Sequence, residues 1–452
     1  MATLAALLKR RGFDVSGSDQ NVYPPMSDFL AAEGIRILSG FREEHISPDI
    51  GTVVVGNAIS RGNPELEVVL ERKIRYCSLP EAVRDHFLWG ARSIVIAGTH
   101  GKTTTTSLTG WLLTYANLDP TVLVGGIALN LGDDGSSYRL GGGRDFVIEG
   151  DEYDSAFFDK SAKFLKYLPD IAVINNVEFD HADIYPDLDA VRLAFRRLVN
   201  LVPRNGLLLL GADSPDAIAL QAAAVSPVQT FGLASNADWQ AHDIQAAEGL
   251  TQFSVRRNGK LFGPFYSSLL GAHNVRNALA AIAVGAHVGL DAATLAAGLR
   301  GFKGIKRRLE TVGIAGGVTV LDDFAHHPTA VRETLSALRS GYSARRIWAV
   351  FEPRSASSCR RIFQQDFGRS FGAADEVVVA AVFRSSLPQH ERLSAEELVE
   401  DLRSRAQRAR YIPDVDTIIQ TVVRERRDGD VVVLMSNGAF GGIHQKLLKA
   451  LA

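Results

Sequence analysis

A chain of 452 residues, 46% hydrophobic and 22% charged, is too long for one ordinary core and has the balance of a folded globular protein, not a disordered or fibrous one. Its formal net charge of −2 gives no global basic field for a nucleic-acid backbone, and the Arg307-Arg308 pair and the Arg424, Arg426, Arg427 cluster are too small to supply one. No apolar leader opens the chain, no stretch approaches a membrane span, and Cys77 and Cys359 form neither a disulfide framework nor a CxxC site, so a reducing, cytoplasmic setting is expected.

In chain order, residues 3–11 read as a helix and 14–18 as a strand. Short β-branched runs then recur at 53–56, 94–97, 146–149, 171–175, 207–210, 318–322, 347–351, 377–380 and 431–435. Helical periodicity fills 103–115, 190–201, 274–288, 328–338 and 395–406. Strands alternating with helices signal an α/β protein with parallel sheets. Between 237 and 270 the pattern changes to alternating residues around an Asn258-Gly259 hairpin signal, which marks a β-rich insertion. Boundaries suggest themselves near Trp89-Gly90, just before a strand-loop-helix motif, and between Gly304 and Glu310, where a helical region gives way to fresh βα alternation. Three domains are therefore expected, 1–90, 91–309 and 310–452. A doubly wound domain ordinarily opens on a strand and a glycine-rich turn, and the first of the three is expected to lack both.

Residues 94–97 feed Gly98-Thr99-His100-Gly101-Lys102-Thr103-Thr104, after which a helix begins. Strand, glycine-rich loop and helix together make a phosphate site: the glycines let backbone N–H groups close on phosphate oxygens, and the helix N-terminus adds a positive dipole. Lys102 would reach the β- and γ-phosphates and the Thr103 hydroxyl would ligate Mg²⁺. The spacing departs from GxxxxGK[ST], since Gly98 stands only three residues before Gly101. His100 reads equally as a phosphate contact and as a solvent-facing or capping residue.

Two acidic clusters follow strands: Glu149-Gly150-Asp151-Glu152-Tyr153-Asp154, and Asn175-Asn176-Val177-Glu178-Phe179-Asp180-His181. Ligands of open α/β sheets gather at the carboxyl ends of strands, so both clusters are expected beside the phosphate loop. Oxygen ligands with one imidazole suit Mg²⁺ or Mn²⁺ bridging ATP phosphates.

GTHGKTTT, EGDEYD, NNVEFDH, GAHNVRN, GIKRRLE and DDFAHHPTA stand in the order found in the Mur ligases, and the chain resembles that family over essentially its whole length. The resemblance implies an N-terminal Rossmann-like domain for a UDP-sugar, a central P-loop ATPase-like domain carrying the β-rich insertion, and a C-terminal Rossmann-like domain for a peptide. It implies an ATP-dependent amide ligase, with ATP and Mg²⁺ as cofactors and UDP-N-acetylmuramate as one substrate. SGSDQNVYPPMSDFL, GNAISRGNPELE, DEYDSAFFDKSAKF, EFDHADIYPDL, FEPRS and MSNGAFGGIHQKLL resemble the branch that attaches a ready-made murein tripeptide, L-Ala-γ-D-Glu-meso-diaminopimelate. A sister branch adds free L-alanine, and a nucleotide-binding but catalytically silent protein is a third alternative.

By the same resemblance, Lys102 and Thr103 take ATP and the first Mg²⁺, with Glu149 as its carboxylate ligand and His181 as a ligand of a second. His273, Asn274 and Asn277 correspond to an adenine-contacting HNxxN stretch. Arg308 corresponds to a phosphate-reaching arginine, and Asp322 or Asp323 to the ribose contact. A general base among Asp322, Asp323, His326 and His327 is left open. Other branches carry a carbamylated lysine where this chain, from 189 to 199, has only arginines, so that modification is not expected. Arg354, after a strand, could clamp a substrate carboxylate with its planar guanidinium, and the 436–442 loop could present backbone to the peptide.

Overall fold

The computed structural model describes residues 1–22, 26–247, 249–383 and 387–452. Tyr23, Pro24 and Pro25, inside the SGSDQNVYPPMSDFL stretch, lie outside the described residues. The chain resolves into two compact units, one formed by Met1–Gly125, Ser136–Val177 and Val191–Thr230, the other by Gly126–Gly135, Glu178–Ala190 and Phe231–Ala452.

The first unit opens on the helix Ala2–Arg10, which buries Leu4, Ala6 and Leu7. Two small parallel pairs follow, Ser16–Asp19 with Arg36–Ser39 and Val53–Val55 with Tyr76–Ser78. Pro64–Glu71 starts where a helix should: Asn63 accepts from the N–H groups of Glu65 and Leu66, and proline occupies the first turn.

The main sheet of this unit runs Leu207–Gly211, Ile171–Ile174, Arg92–Ala97, Asp145–Glu149, Thr121–Ala128. The pairs that line up Ile174 with Ala97 and Ile96 with Glu149 are parallel. Ile94, Val95, Val147, Ile148, Ala172 and Val173 are all buried, as a parallel sheet covered on both faces requires. The register has a functional consequence. It brings Gly98, Gly150 and Asn175, each the first residue past its strand, to one edge of the sheet. The two acidic clusters and the phosphate loop therefore begin side by side.

In the second unit, Trp239–Ala247, Leu250–Arg257 and Lys260–Ser267 form an antiparallel meander. This is the expected β-rich insertion. Its second turn is the two-residue Asn258-Gly259 loop with both φ positive, 49° and 76°, the geometry that suits the right-handed twist of the strands it joins.

The C-terminal sheet has the order Glu310–Ala315, Val318–Asp323, Val431–Met435, Ile347–Phe351, Glu376–Val379, Arg408–Tyr411. Only its first strand is antiparallel. Residues alternate between two cores, one containing Leu321, Ala349, Phe351, Val377, Val379 and Val433, the other Val320, Trp348, Val350, Val378 and Val432. Asp323 pairs with Met435 and Met435 with Phe351, so the stretches beginning at Phe324, Ser436 and Glu352 leave the sheet at one edge.

Candidate active site

In the first unit the phosphate loop is shaped by two glycines. Gly98 has φ +127° and Gly101 φ +82°, values that side chains rarely tolerate. At Gly98 an added Cβ would lie 3.0 Å from the backbone nitrogens of both Asn175 and Asn176, so only glycine lets the loop lie so close to the neighbouring strand end. The Asn-Asn doublet then fixes the loop backbone. Asn176 accepts from His100 N–H through Oδ1 at 2.8 Å and from Thr99 N–H through its carbonyl at 3.1 Å. The Asn175 amide donates to the His100 carbonyl at 3.3 Å and to Thr105 Oγ1 at 3.1 Å.

Lys102 opens the helix Lys102–Tyr115, and Gly101 stands at its N-cap. Thr103 and Thr104 are buried in the first turn. Thr103 Oγ1 donates to Glu149 Oε1 at 2.9 Å, and the Gly125 N–H donates to Glu149 Oε2 at 2.6 Å. A hydroxyl beside a carboxylate offers hard oxygen donors of the kind Mg²⁺ takes. The electrostatics agree with such a cation. Burial and the nearby Asp151 charge push the Glu149 carboxyl above its ordinary range, against the opposing pull of the Gly125 N–H, Lys102 and Thr103. Lys102 Nζ donates to the Gly98 carbonyl at 2.8 Å, to the Thr99 carbonyl at 3.3 Å and to both Glu152 oxygens at 2.9 Å. Burial alone would lower its pKa, but Glu152, Asp151 and Glu149 together raise it, so the ammonium stays charged.

In the second unit four groups carry the other expected residues. His181 adopts φ +54°, and its N–H donates to Asp180 Oδ1 at 2.7 Å and to Ser357 Oγ at 3.0 Å. Asp180 also accepts from the Ser357 hydroxyl. Burial would raise the Asp180 carboxyl, but His181, His327, His326 and Ser357 hold it well below the usual range. His327 Nδ1 accepts from the Thr329 N–H at 3.3 Å and its Nε2 faces the Phe179 carbonyl at 3.1 Å. Glu178 accepts from the Thr329 hydroxyl at 2.7 Å.

The second group surrounds Arg308. Its guanidinium lies 5.0 Å from the centre of the Phe324 ring. Arg307 and Leu309 on either side have φ of +63° and +50°, and neither is glycine, so the backbone is held in an uncommon conformation here. Arg307 is committed elsewhere, to Asp322 Oδ2 at 3.1 Å and to the carbonyls of Ser436 and Gly438 at 2.7 and 2.8 Å. The two aspartates differ. Asp323 accepts from Leu309 N–H, Ala325 N–H and the Thr334 hydroxyl, and burial raises its carboxyl despite them. Asp322 pairs with Arg307, and its Oδ1 lies 3.1 Å from His444 Nε2 without hydrogen-bond alignment. Asp323 thus holds the chain turn, and Asp322 has the side-chain charges around it.

His273, Asn274 and Asn277 lie at the start of the helix Ala272–His287. The Asn277 amide donates to Asn274 Oδ1 at 3.1 Å, and the Asn274 amide to the Leu270 carbonyl at 2.8 Å. His273 Nδ1 stands 3.6 Å from Glu333, which also pairs with Arg276.

The fourth group is Arg354, whose guanidinium lies 3.6 Å from the Phe383 ring centre and whose Nη1 is 3.6 Å from Glu352 Oε1. An added Cβ at Gly438 would overlap the Arg354 side chain. The arginine and the 436–442 loop are therefore neighbours, as their places on the sheet edge imply. Sequence patterning assigned no role to Glu152, Asn176 or Ser357. Glu152 and Asn176 stand inside motifs already conspicuous in the sequence. Ser357 carried no signal, because only the fold brings it to His181.

Three family models match consecutive parts of the chain: "Mur ligase family, catalytic domain" over residues 1–88, "Mur ligase middle domain" over 96–285 and "Mur ligase, glutamate ligase domain" over 307–438. The chain is 41% identical over 454 residues to the UDP-N-acetylmuramate–L-alanyl-γ-D-glutamyl-meso-2,6-diaminoheptandioate ligase of Escherichia coli (strain K12), covering 100% of this chain and 96% of that protein. It is 36% identical to the UDP-N-acetylmuramate–L-alanine ligase of Desulfatibacillum aliphaticivorans, covering 97% of this chain and 93% of that protein. Among solved structures, the murein peptide ligase of Psychrobacter arcticus 273-4 matches with a TM-score of 0.73 and 37% identity over 100% of this chain and 96% of that one. The UDP-N-acetylmuramate–alanine ligase of Thermotoga maritima shares the fold, with a TM-score of 0.81 at 24% identity over 99% of this chain and 96% of that one.

Proposed function

Because the chain belongs to the Mur ligase family, we infer that it is the ATP-dependent ligase that joins UDP-N-acetylmuramate to L-Ala-γ-D-Glu-meso-diaminopimelate, returning a recovered peptide to cell-wall synthesis. Identity of 41% along the whole chain to the Escherichia coli enzyme of that name carries the assignment. The phosphate loop supplies the chemistry it needs.

A carboxylate is a poor acyl donor. The muramate carboxylate oxygen therefore attacks the γ-phosphorus of ATP, ADP leaves, and an acyl-phosphate forms. The peptide amine then attacks the acyl carbon, phosphate leaves, and an amide bond remains once the amine has lost its proton. Phosphoryl transfer of this kind is mostly positioning and charge neutralisation. We assign Lys102 and Arg308 to the phosphates and the loop from Gly98 to Thr104 to the phosphate cradle. Thr103 and Glu149 are assigned to a first Mg²⁺ and His181 to a second, and such ions when bound would offset phosphate charge. His273, Asn274 and Asn277 are assigned to the adenine, and Asp322 to the ribose in preference to Asp323, whose oxygens are spent on its own turn. Arg354 is assigned to a peptide carboxylate. The cytoplasm is the proposed place of action, in keeping with two free cysteines and nucleotide substrates. No helix among the described residues is long and apolar enough to cross a membrane.

A second activity, addition of free L-alanine, has its own support in the 36% identical relative. Phosphate release from ATP with UDP-N-acetylmuramate separates the two. Release with the tripeptide and not with L-alanine is expected. Release with L-alanine alone would transfer the chain to the sister activity, and none with either would remove both.

A further inference from the structure

Glu152 is 2% exposed, although it belongs to a polar segment after a strand end. A carboxylate so placed needs a partner, and its partner is the lysine on which phosphate binding depends. Lys102 Nζ has three hydrogens, and four acceptors stand around it: both Glu152 oxygens and the Gly98 and Thr99 carbonyls. The ammonium is therefore saturated by its own loop and by one buried acid. It cannot engage a phosphate at full strength without giving up part of this set. The carbonyls belong to the loop itself, whereas Glu152 comes from another strand end.

We propose that Glu152 is a positioning residue that docks the Lys102 ammonium, so that incoming nucleotide phosphates compete with the Glu152 carboxylate for it. The pair serves two ends. It keeps a buried cation neutralised before substrate arrives, which stabilises the loop. It also sets part of nucleotide affinity against that stability, because each ligand of Lys102 gained from the phosphates is offset by one lost from Glu152. A purely structural salt bridge would behave differently: loosening it would weaken the loop and nucleotide binding together.

The inference rests on the nucleotide-binding part of the proposed function and is tested without turnover. Wild type, Glu152→Gln and Glu152→Asp are titrated with a non-hydrolysable ATP analogue and Mg²⁺ by calorimetry, and the nucleotide-free proteins are melted in parallel. Glutamine keeps the shape but removes the charge, so Glu152→Gln should bind the analogue roughly five- to tenfold more tightly while its nucleotide-free form melts at a lower temperature. Glu152→Asp keeps the charge on a shorter arm and should tighten binding less. An unchanged or weaker affinity in Glu152→Gln overturns the proposal. If that variant does not fold, Glu152→Asp decides by the same sign. A wild type that binds no nucleotide would instead overturn the nucleotide assignment, and this inference with it.

Discussion

Glu149 accepts from the Thr103 hydroxyl and the Gly125 N–H, yet burial and the Asp151 charge still hold its carboxyl above the ordinary range. Its surroundings therefore disfavour the charged form, and a divalent cation would offset that. Glutamine can occupy the same place: its oxygen accepts from Gly125, and its amide donates to the Thr103 hydroxyl, which turns to accept. Glu149→Gln should accordingly raise the stability of the nucleotide-free protein by ~1 kcal/mol at neutral pH and abolish Mg²⁺-dependent phosphate release. The pH dependence has a definite sign. A carboxyl with a raised folded-state pKa costs stability in full above that pKa, and the cost falls away as pH drops from it towards the unfolded-state value. Urea titrations at descending pH should show the variant's advantage shrinking, and an advantage that grew would refute the account. Arg354 belongs to the same scale. Its guanidinium is already stacked on Phe383 and set beside Glu352, so a substrate carboxylate would meet an ordered fork. Arg354→Ala should raise the tripeptide KM by roughly tenfold or more and leave the ATP KM nearly unchanged. An unchanged peptide KM would remove the assignment.

Among the elements, the helix Lys102–Tyr115 carries the phosphate loop, and its seat against the sheet sets the loop's position. Gly110 lies in its interior, where alanine would ordinarily gain about 1 kcal/mol. Here an added Cβ would stand 2.8 and 2.9 Å from the two methyls of Val122. Gly110→Ala should therefore destabilise by ~1–2 kcal/mol, and adding Val122→Ala should restore much of the loss by making room. A denaturation series in which the double variant is no better than the single would show that the close approach is not what the glycine permits. Long apolar runs such as Ile347–Phe351 and Val431–Met435 have the same bounds in the structure as in the sequence pattern, because strands buried on both faces need unbroken hydrophobicity. Arg408–Tyr411, reading RARY, and Arg36–Ser39 went unrecognised: each gains its strand character from one neighbour across the sheet. Glu310–Ala315 was likewise hidden, since its register shifts near Gly313. The site was legible to a similar depth. Glycine spacing announced the loop, but nothing local says that Glu152 turns inward to Lys102 or that Ser357 reaches the backbone of His181.

Over the whole molecule, a net charge of −2 provides no long-range attraction for substrates that are themselves anionic. Binding must come from local groups held in separate parts of the chain. We propose residues 1–90 for the UDP-sugar, 91–309 for ATP and 310–452 for the peptide, and this division is testable by linkage. A ligand that binds only the folded state stabilises it by about 2.7 kcal/mol at one hundred times its Kd. UDP-N-acetylmuramate without nucleotide should raise the melting temperature of the wild-type protein, and an ATP analogue with Mg²⁺ should do so independently. Glu149→Gln then separates the two, because it alters the carboxylate proposed for Mg²⁺ and nothing in residues 1–90. That variant should keep the full UDP-N-acetylmuramate shift while its Mg²⁺–nucleotide shift falls. Loss of both shifts together would mean that the sugar nucleotide depends on Glu149 or on the order around it, and the assignment of its binding to the first ninety residues would have to be given up.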